Sequence, residues 1–155
     1  MRKIIALFFM LLAPFDAEAW SGRVVSVADG DTITVEPEAG GERIKVRLHG
    51  IDCPERRQPY GEAARGFVYD LALYKTVEVE ETDRDRYGRT VAIVHLENDT
   101  LQAALLRAGM AWVYIKYCPN CSEWDMLQED ARRSKRGLWA DEASIPPWEW
   151  RKKSK

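Results

Sequence analysis

The chain reads as an α+β fold, a five-stranded Greek-key β-barrel with about three helices packed on it. Three observations predict this. Short runs rich in β-branched residues are separated by Asp-Gly or Pro/Gly turns. Longer segments carry apolar residues at helical spacing. Their order is three strands, a helix, two strands and two helices, within the length of one domain.

Gly22 to Ala28 alternates around Val24, Val25 and Val27 and reads as the first strand. The Asp29-Gly30 turn makes a hairpin into Asp31 to Val35. After a second turn, Pro37 to Gly41, the third strand runs from Arg43 to His49 with Ile44, Val46 and Leu48 inward. Gly61 to Tyr74 is helical, with Ala64, Phe67, Val68 and Leu71 on one face. Thr76 to Glu80 and Arg89 to Leu96 are two more strands, joined by the charged loop Glu81 to Gly88. Thr100 to Ala108 is a helix that stops at Gly109, a C-cap. Ser122 to Arg136 opens with Ser122-x-x-Asp125, close to a capping box, and buries Trp124, Leu127 and Ala131 before Gly137. This order fits an OB-fold, a scaffold whose open face and loops take up oligonucleotides.

The ends differ in character from this domain, residues 20–140. Arg2 and Lys3, the apolar run Ile4 to Leu12 and the Ala17-Glu18-Ala19 signal describe a cleavable leader, residues 1–19, shorter in its apolar part than the ~20 residues of a membrane span. An uncleaved anchor is the alternative. Export to the periplasm or the medium follows, with no stable membrane association after cleavage. In the tail, residues 141–155, the paired prolines Pro146-Pro147 block regular structure and a basic end follows. It reads as an extended segment whose tryptophans pack on the barrel; the sharper alternative is a basic-aromatic strip that touches substrate strands.

The formal net charge of −2 excludes a tight, nonspecific nucleic-acid coat, but not an enzyme with positive charge at its cleft. Arg47, Arg56, Arg57, Arg84, Arg86 and Arg89 supply such local charge. In an exported chain Cys118-Pro-Asn-Cys121 suits a small-loop disulfide and leaves Cys53 as a free, buried thiol. A redox-active pair at Cys118 and Cys121 is the alternative.

The chemistry lies in three short clusters: Asp29-Gly-Asp-Thr32, Val46-Arg-Leu-His-Gly-Ile-Asp-Cys-Pro-Glu55 and Asp85-Arg-Tyr-Gly-Arg89. Asp31 shares parity with the core residues Ile33 and Val35, while Thr32 and Thr34 point outward. A carboxylate facing inward costs several kcal/mol, on the order of a buried charge, unless it is paired or metal-bound. Capping the hairpin is its plainer role. Strand parity puts Arg47 and His49 on one face and Asp52 on the other, so parity alone does not bring them together. Carboxylates that hold a hard cation, with arginines that grip a phosphate, together describe a metal-assisted phosphodiesterase.

These clusters, followed in order by Tyr60-Gly-Glu-Ala, Leu105-Leu-Arg-Ala-Gly-Met-Ala111 and Arg136-Gly-Leu-Trp139, resemble the staphylococcal nuclease (thermonuclease) family over roughly residues 22 to 140. The resemblance implies Ca²⁺ held by Asp31, Asp52 and the backbone carbonyl of Cys53, where the family usually has Thr. It implies catalysis by Glu55 on the attacking water and by Arg47 and Arg89 on the phosphate oxygens. Tyr87, Lys116 and Tyr117 would receive the nucleotide. DNA and RNA would be cleaved with little sequence preference, by a monomer, leaving 3′-phosphate and 5′-hydroxyl ends. Arg56-Arg57-Gln58-Pro59 is shorter than the lysine-rich loop of the family's best-known member. Plainer roles stay open: a surface residue for Arg47, an ion pair with Asp83 or Asp85 for Arg89, structural positions for His49 and His95. The rival functions are a noncatalytic OB-fold binding module and a thiol-redox protein.

Overall fold

In the computed structural model, residues 19–153 are described; of the expected leader only Ala19 falls among them. The alternating runs form β1 (Ala19–Asp29), β2 (Thr32–Pro37) and β3 (Ile44–Leu48). A two-residue strand, β4 (Ile51–Asp52), precedes helix α1 (Gly61–Ala72). Then come β5 (Thr76–Arg84), β6 (Thr90–His95), α2 (Leu101–Arg107), β7 (Trp112–Val113), α3 (Ser122–Arg133) and α4 (Pro147–Lys153).

Five strands close into a barrel in the order β1-β2-β3-β6-β5, with β5 pairing back onto β1. All pairs are antiparallel except β3 with β6, which makes the barrel mixed. Inward residues on each strand fill it: Val24, Ile33, Val35, Val46, Leu48, Val79, Ala92 and Val94 are buried. Helix α1 adds Ala64, Val68 and Ala72 to this core, and α2 adds Leu101, Leu105 and Leu106. A small satellite core of Ala131, Leu138 and Trp139 ties α3 to the C-terminal side. The five-stranded Greek-key expectation is therefore borne out, and the four α-helices among the described residues roughly match the three expected.

Four local differences have physical reasons. β5 runs on to Arg84, because Asp83 and Arg84 pair with Val91 and Thr90 at the open end of the barrel, where polar side chains can stay solvated. Strands β4 and β7 pair only with each other and are too short to show a period. The capping box at Ser122 does not form; disulfide-bonded Cys121 takes the cap position and its carbonyl accepts from the Asp125 N–H at 3.0 Å. The prolines near the C-terminus start a helix instead of blocking one. Pro147 occupies the first turn of α4, where a missing N–H costs nothing, and the Pro146 carbonyl accepts from Glu149 and Trp150.

Candidate active site

Two glycines bring the acidic residues together. At Gly30 a Cβ would lie 2.8 Å from the Cβ atoms of both Cys53 and Ala64, so only glycine lets the β1–β2 turn rest on the Cys53 loop. The Cys53 N–H then donates to Asp31 Oδ2 at 2.8 Å, and Asp31 Oδ1 accepts from the Thr32 hydroxyl at 3.1 Å. Thr32 is buried along with Asp31 rather than pointing to solvent. Gly50, at φ +69°, makes the bend between β3 and β4; a Cβ there would also meet Cys118 and Trp124 within 2.9 Å. The bend carries Asp52 to the face of Arg47.

Arg47 stands between the two aspartates. Its Nη2 lies 3.1 Å from Asp52 Oδ1 and 3.2 Å from Asp31 Oδ2, while Nη1 donates to the Leu48 carbonyl at 3.0 Å. Asp52 is only 2% exposed. Burial lifts its carboxyl to about 6, with the hydrogen bond from Arg151 opposing and the Asp31 charge reinforcing that rise. Burial, and then the charge of Asp31, lift Asp29 to about 6 as well.

Glu55 follows β4 on the loop that leads to α1. Buried Gln58 fixes that loop: its Oε1 accepts from the Glu55 N–H at 3.1 Å, and its Nε2 donates to the Ile145 carbonyl at 2.8 Å. One side chain thus joins the Glu55 loop to the segment that leads into α4. From the last turn of α4, Arg151 donates to Glu55 Oε1 at 2.6 Å and to Asp52 Oδ2 at 2.7 Å. Sequence reasoning missed Arg151, Gln58 and Asp29. For Arg151 a signal existed: Pro at the helix start, Glu149 in the first turn and Arg151 to Lys153 in the last mark a short helix.

The remaining candidates line the same groove, of about 1010 Å³. Arg89 is organised by Asp85, whose Oδ1 accepts the backbone N–H groups of Tyr87 and Arg89 and whose Oδ2 takes the Arg89 Nε proton at 2.6 Å. Arg89 Nη1 also reaches the Thr32 hydroxyl at 3.4 Å, which links it to Asp31. Tyr87 is 69% exposed, with the guanidiniums of Arg86 and Arg89 over its ring. Tyr117 is exposed under Lys116. Beside it Tyr114, which sequence reasoning left unassigned, stacks on Trp148 of α4 at 5.0 Å. Cys118 and Cys121 form a disulfide next to Gly50, outside this lining, and Cys53 is free and fully buried, its thiol pushed well up by burial. His49 bonds Thr82 and His95 bonds Glu80.

The donor set can be tested against a divalent cation. Among the described residues no three His, Cys, Asp or Glu side chains converge as a ready cluster. Asp31 and Asp52 nevertheless flank one guanidinium nitrogen, and Asp29 and Glu55 lie in the same groove. Three carboxylates there, Asp31, Asp52 and Glu55, face the two guanidiniums of Arg47 and Arg151. The oxygen-only donor set of Asp31, Asp52 and Glu55 suits a hard cation such as Ca²⁺. The Cys53 amide, not its carbonyl, is what touches Asp31.

A family model described as staphylococcal nuclease homologue matches residues 45–141. An Escherichia coli protein named as an uncharacterized endonuclease is 40% identical over 153 residues, 97% of this chain and 98% of its own. A micrococcal nuclease of Shigella flexneri is 37% identical over 150 residues, 88% of this chain and 85% of its own. An uncharacterized endonuclease of Haemophilus influenzae is 36% identical over 158 residues, 99% and 88% of the two chains.

Proposed function

The chain belongs to the staphylococcal nuclease family, and on that premise we propose that it is an exported, calcium-dependent nuclease acting on DNA and RNA with little sequence preference. One observation carries this reading: Asp31, Arg47 and Asp52, from three different strand ends, meet within hydrogen-bonding distance in a groove that also holds Glu55 and Arg89.

Asp31 and Asp52, with the Cys53 carbonyl, would hold Ca²⁺, which when bound polarises the phosphoryl group. Glu55, once its carboxylate is free, orients or deprotonates the attacking water. Arg89 is already held through Nε by Asp85, which leaves its terminal nitrogens to meet a nonbridging oxygen. Arg47 supports the same group from within the acidic pair. Both arginines act where charge grows on the five-coordinate phosphorus. Tyr87 and Tyr117 offer exposed rings for a base or sugar, a contact that tolerates any sequence. Contacts to phosphate and sugar carry no base identity, so broad specificity follows. The leader signals of Arg2 to Ala19 support export and cleavage, after which a monomer would act in the periplasm or the medium.

The test is cleavage of single-stranded DNA, duplex DNA and RNA by the purified protein, in Ca²⁺ and in excess chelator. Cleavage in Ca²⁺ alone, lost in Glu55→Gln with the fold intact, is the expected result. A folded protein that binds DNA and cuts nothing in either condition would replace this reading with the binding module.

A further inference from the structure

Asp52 cannot be left without a cationic partner: it is 2% exposed and both of its oxygens are engaged by guanidiniums. Arg47 Nη2 takes Oδ1, and Arg151 takes Oδ2 at 2.7 Å with a longer contact to Oδ1 at 3.4 Å. A cation can therefore reach an Asp52 oxygen only if one arginine gives way.

The two arginines are not equivalent in this respect. The Arg47 side chain is 16% exposed, pinned to the Leu48 carbonyl and shared with Asp31. The Arg151 side chain is 42% exposed, and its other partner, Glu55, is 43% exposed. If Arg151 swings out, guanidinium and Glu55 both rehydrate at little cost, whereas moving Arg47 would strand two buried carboxylates. The helix that carries Arg151 need not move with it. It is anchored one turn earlier by Trp148 on Tyr114 and, upstream, by Gln58 on Ile145.

Resting on the cation reading above, we propose that Arg151 is a positioning residue of this site, a tethered counter-charge that holds Asp52 and Glu55 until a divalent cation takes its place. The same exchange frees Glu55. Until then its carboxylate is occupied by the guanidinium, so the site frees Glu55 and takes up its metal in one step. Helix α4 thereby sets the cation affinity of the site it packs against.

The experiment is calorimetric titration of the purified protein with Ca²⁺ alone, for the parent, Arg151→Met and Arg151→Lys, with thermal midpoints in chelator and in saturating Ca²⁺. Removing a competing charged hydrogen-bond donor should tighten Ca²⁺ binding by about tenfold to a hundredfold in Arg151→Met. That variant should melt below the parent in chelator and level with it in Ca²⁺, a recovery that a merely structural arginine would not give. Arg151→Lys, which keeps the charge and loses the fork, should fall between, and it carries the test if Arg151→Met does not fold without metal. Ca²⁺ affinity equal to or weaker than the parent's in both variants would overturn the proposal and leave the cation reading standing. No Ca²⁺ binding by any of the three chains would overturn both.

Discussion

Asp31 and Asp52 are buried and Arg47 partly so, all three beside strand ends and each bonded to another member of the set or to the backbone beside it. Tyr87, Arg89 and Tyr117 line the same groove from outside the strands, and their shortest contacts are local: Asp85 for Arg89, which reaches Thr32 only at 3.4 Å, Arg86 for Tyr87, Lys116 for Tyr117. The first group is part of the barrel's framework, so a change there alters fold and chemistry together. The second hangs on two separate turns, 85–89 and Ile115–Tyr117, so a change there should alter chemistry alone.

The comparison is tested most severely at Arg47. Arg47→Met keeps the aliphatic stem and removes the charge between two buried carboxylates. Breaking a buried ion pair from one side costs about 3–5 kcal/mol, so urea denaturation in chelator should show a loss of that size. Cleavage should fall below detection. Part of the stability should return in Ca²⁺, because a cation can replace the missing charge. A variant as stable as the parent would mean that Asp31 and Asp52 do not depend on Arg47, and the framework description would fail.

Arg89→Ala is the matching change on the loop side. Stability should move by no more than about 1 kcal/mol, the scale of a partly exposed pair. The rate should drop roughly 100- to 1000-fold, the usual cost of one electrostatic contact to a transition state. The fall belongs in kcat, since the contact strengthens as charge develops. A large loss of stability with little loss of rate would reverse the two roles.

The same contrast explains what could be read from the sequence. Asp31 stood out because its parity with Ile33 and Val35 put a charge on a core-facing face; the structure does bury it, but in the turn before β2 beside Arg47, and it buries Thr32 as well. The pairing of Arg47 with Asp52 was not visible in strand parity, which separates them; Gly50 in the left-handed region unites them, and a lone glycine does not announce the angle of its bend. Arg89 and Asp85 could be paired because they sit four residues apart on one turn. Arg151 lies 99 residues from Asp52, and no local pattern links them. The barrel itself was legible because each strand is long enough to show period two, whereas β4 and β7 are not. The tail was misread because two prolines were weighed as breakers without asking which of them could open a helix.

The smallest effect should appear where the two groups join. His49 follows β3, one residue beyond the framework arginine's carbonyl partner Leu48, and its Nδ1 lies 3.0 Å from the Thr82 hydroxyl on β5. Burial lowers its pKa from 6.5, with the charges of Asp83 and Glu80 pulling the other way and losing. The native ring therefore resists protonation, while the unfolded chain accepts a proton as the pH falls through 6.5. Its contribution to stability is fully present above that value and declines below it. Denaturation free energies for the parent and His49→Gln, compared from pH 8 to about pH 5, isolate this residue from His95. The gap should be flat above 7 and shift against the parent below 6.5. The shift should stay well under the ~1.4 kcal/mol of one full pKa unit, because the ring is partly exposed and solvent screens its charge. A gap that moves in the parent's favour on acidification would mean that Asp83 and Glu80 outweigh burial. The junction would then behave like the charged loop and not like the core.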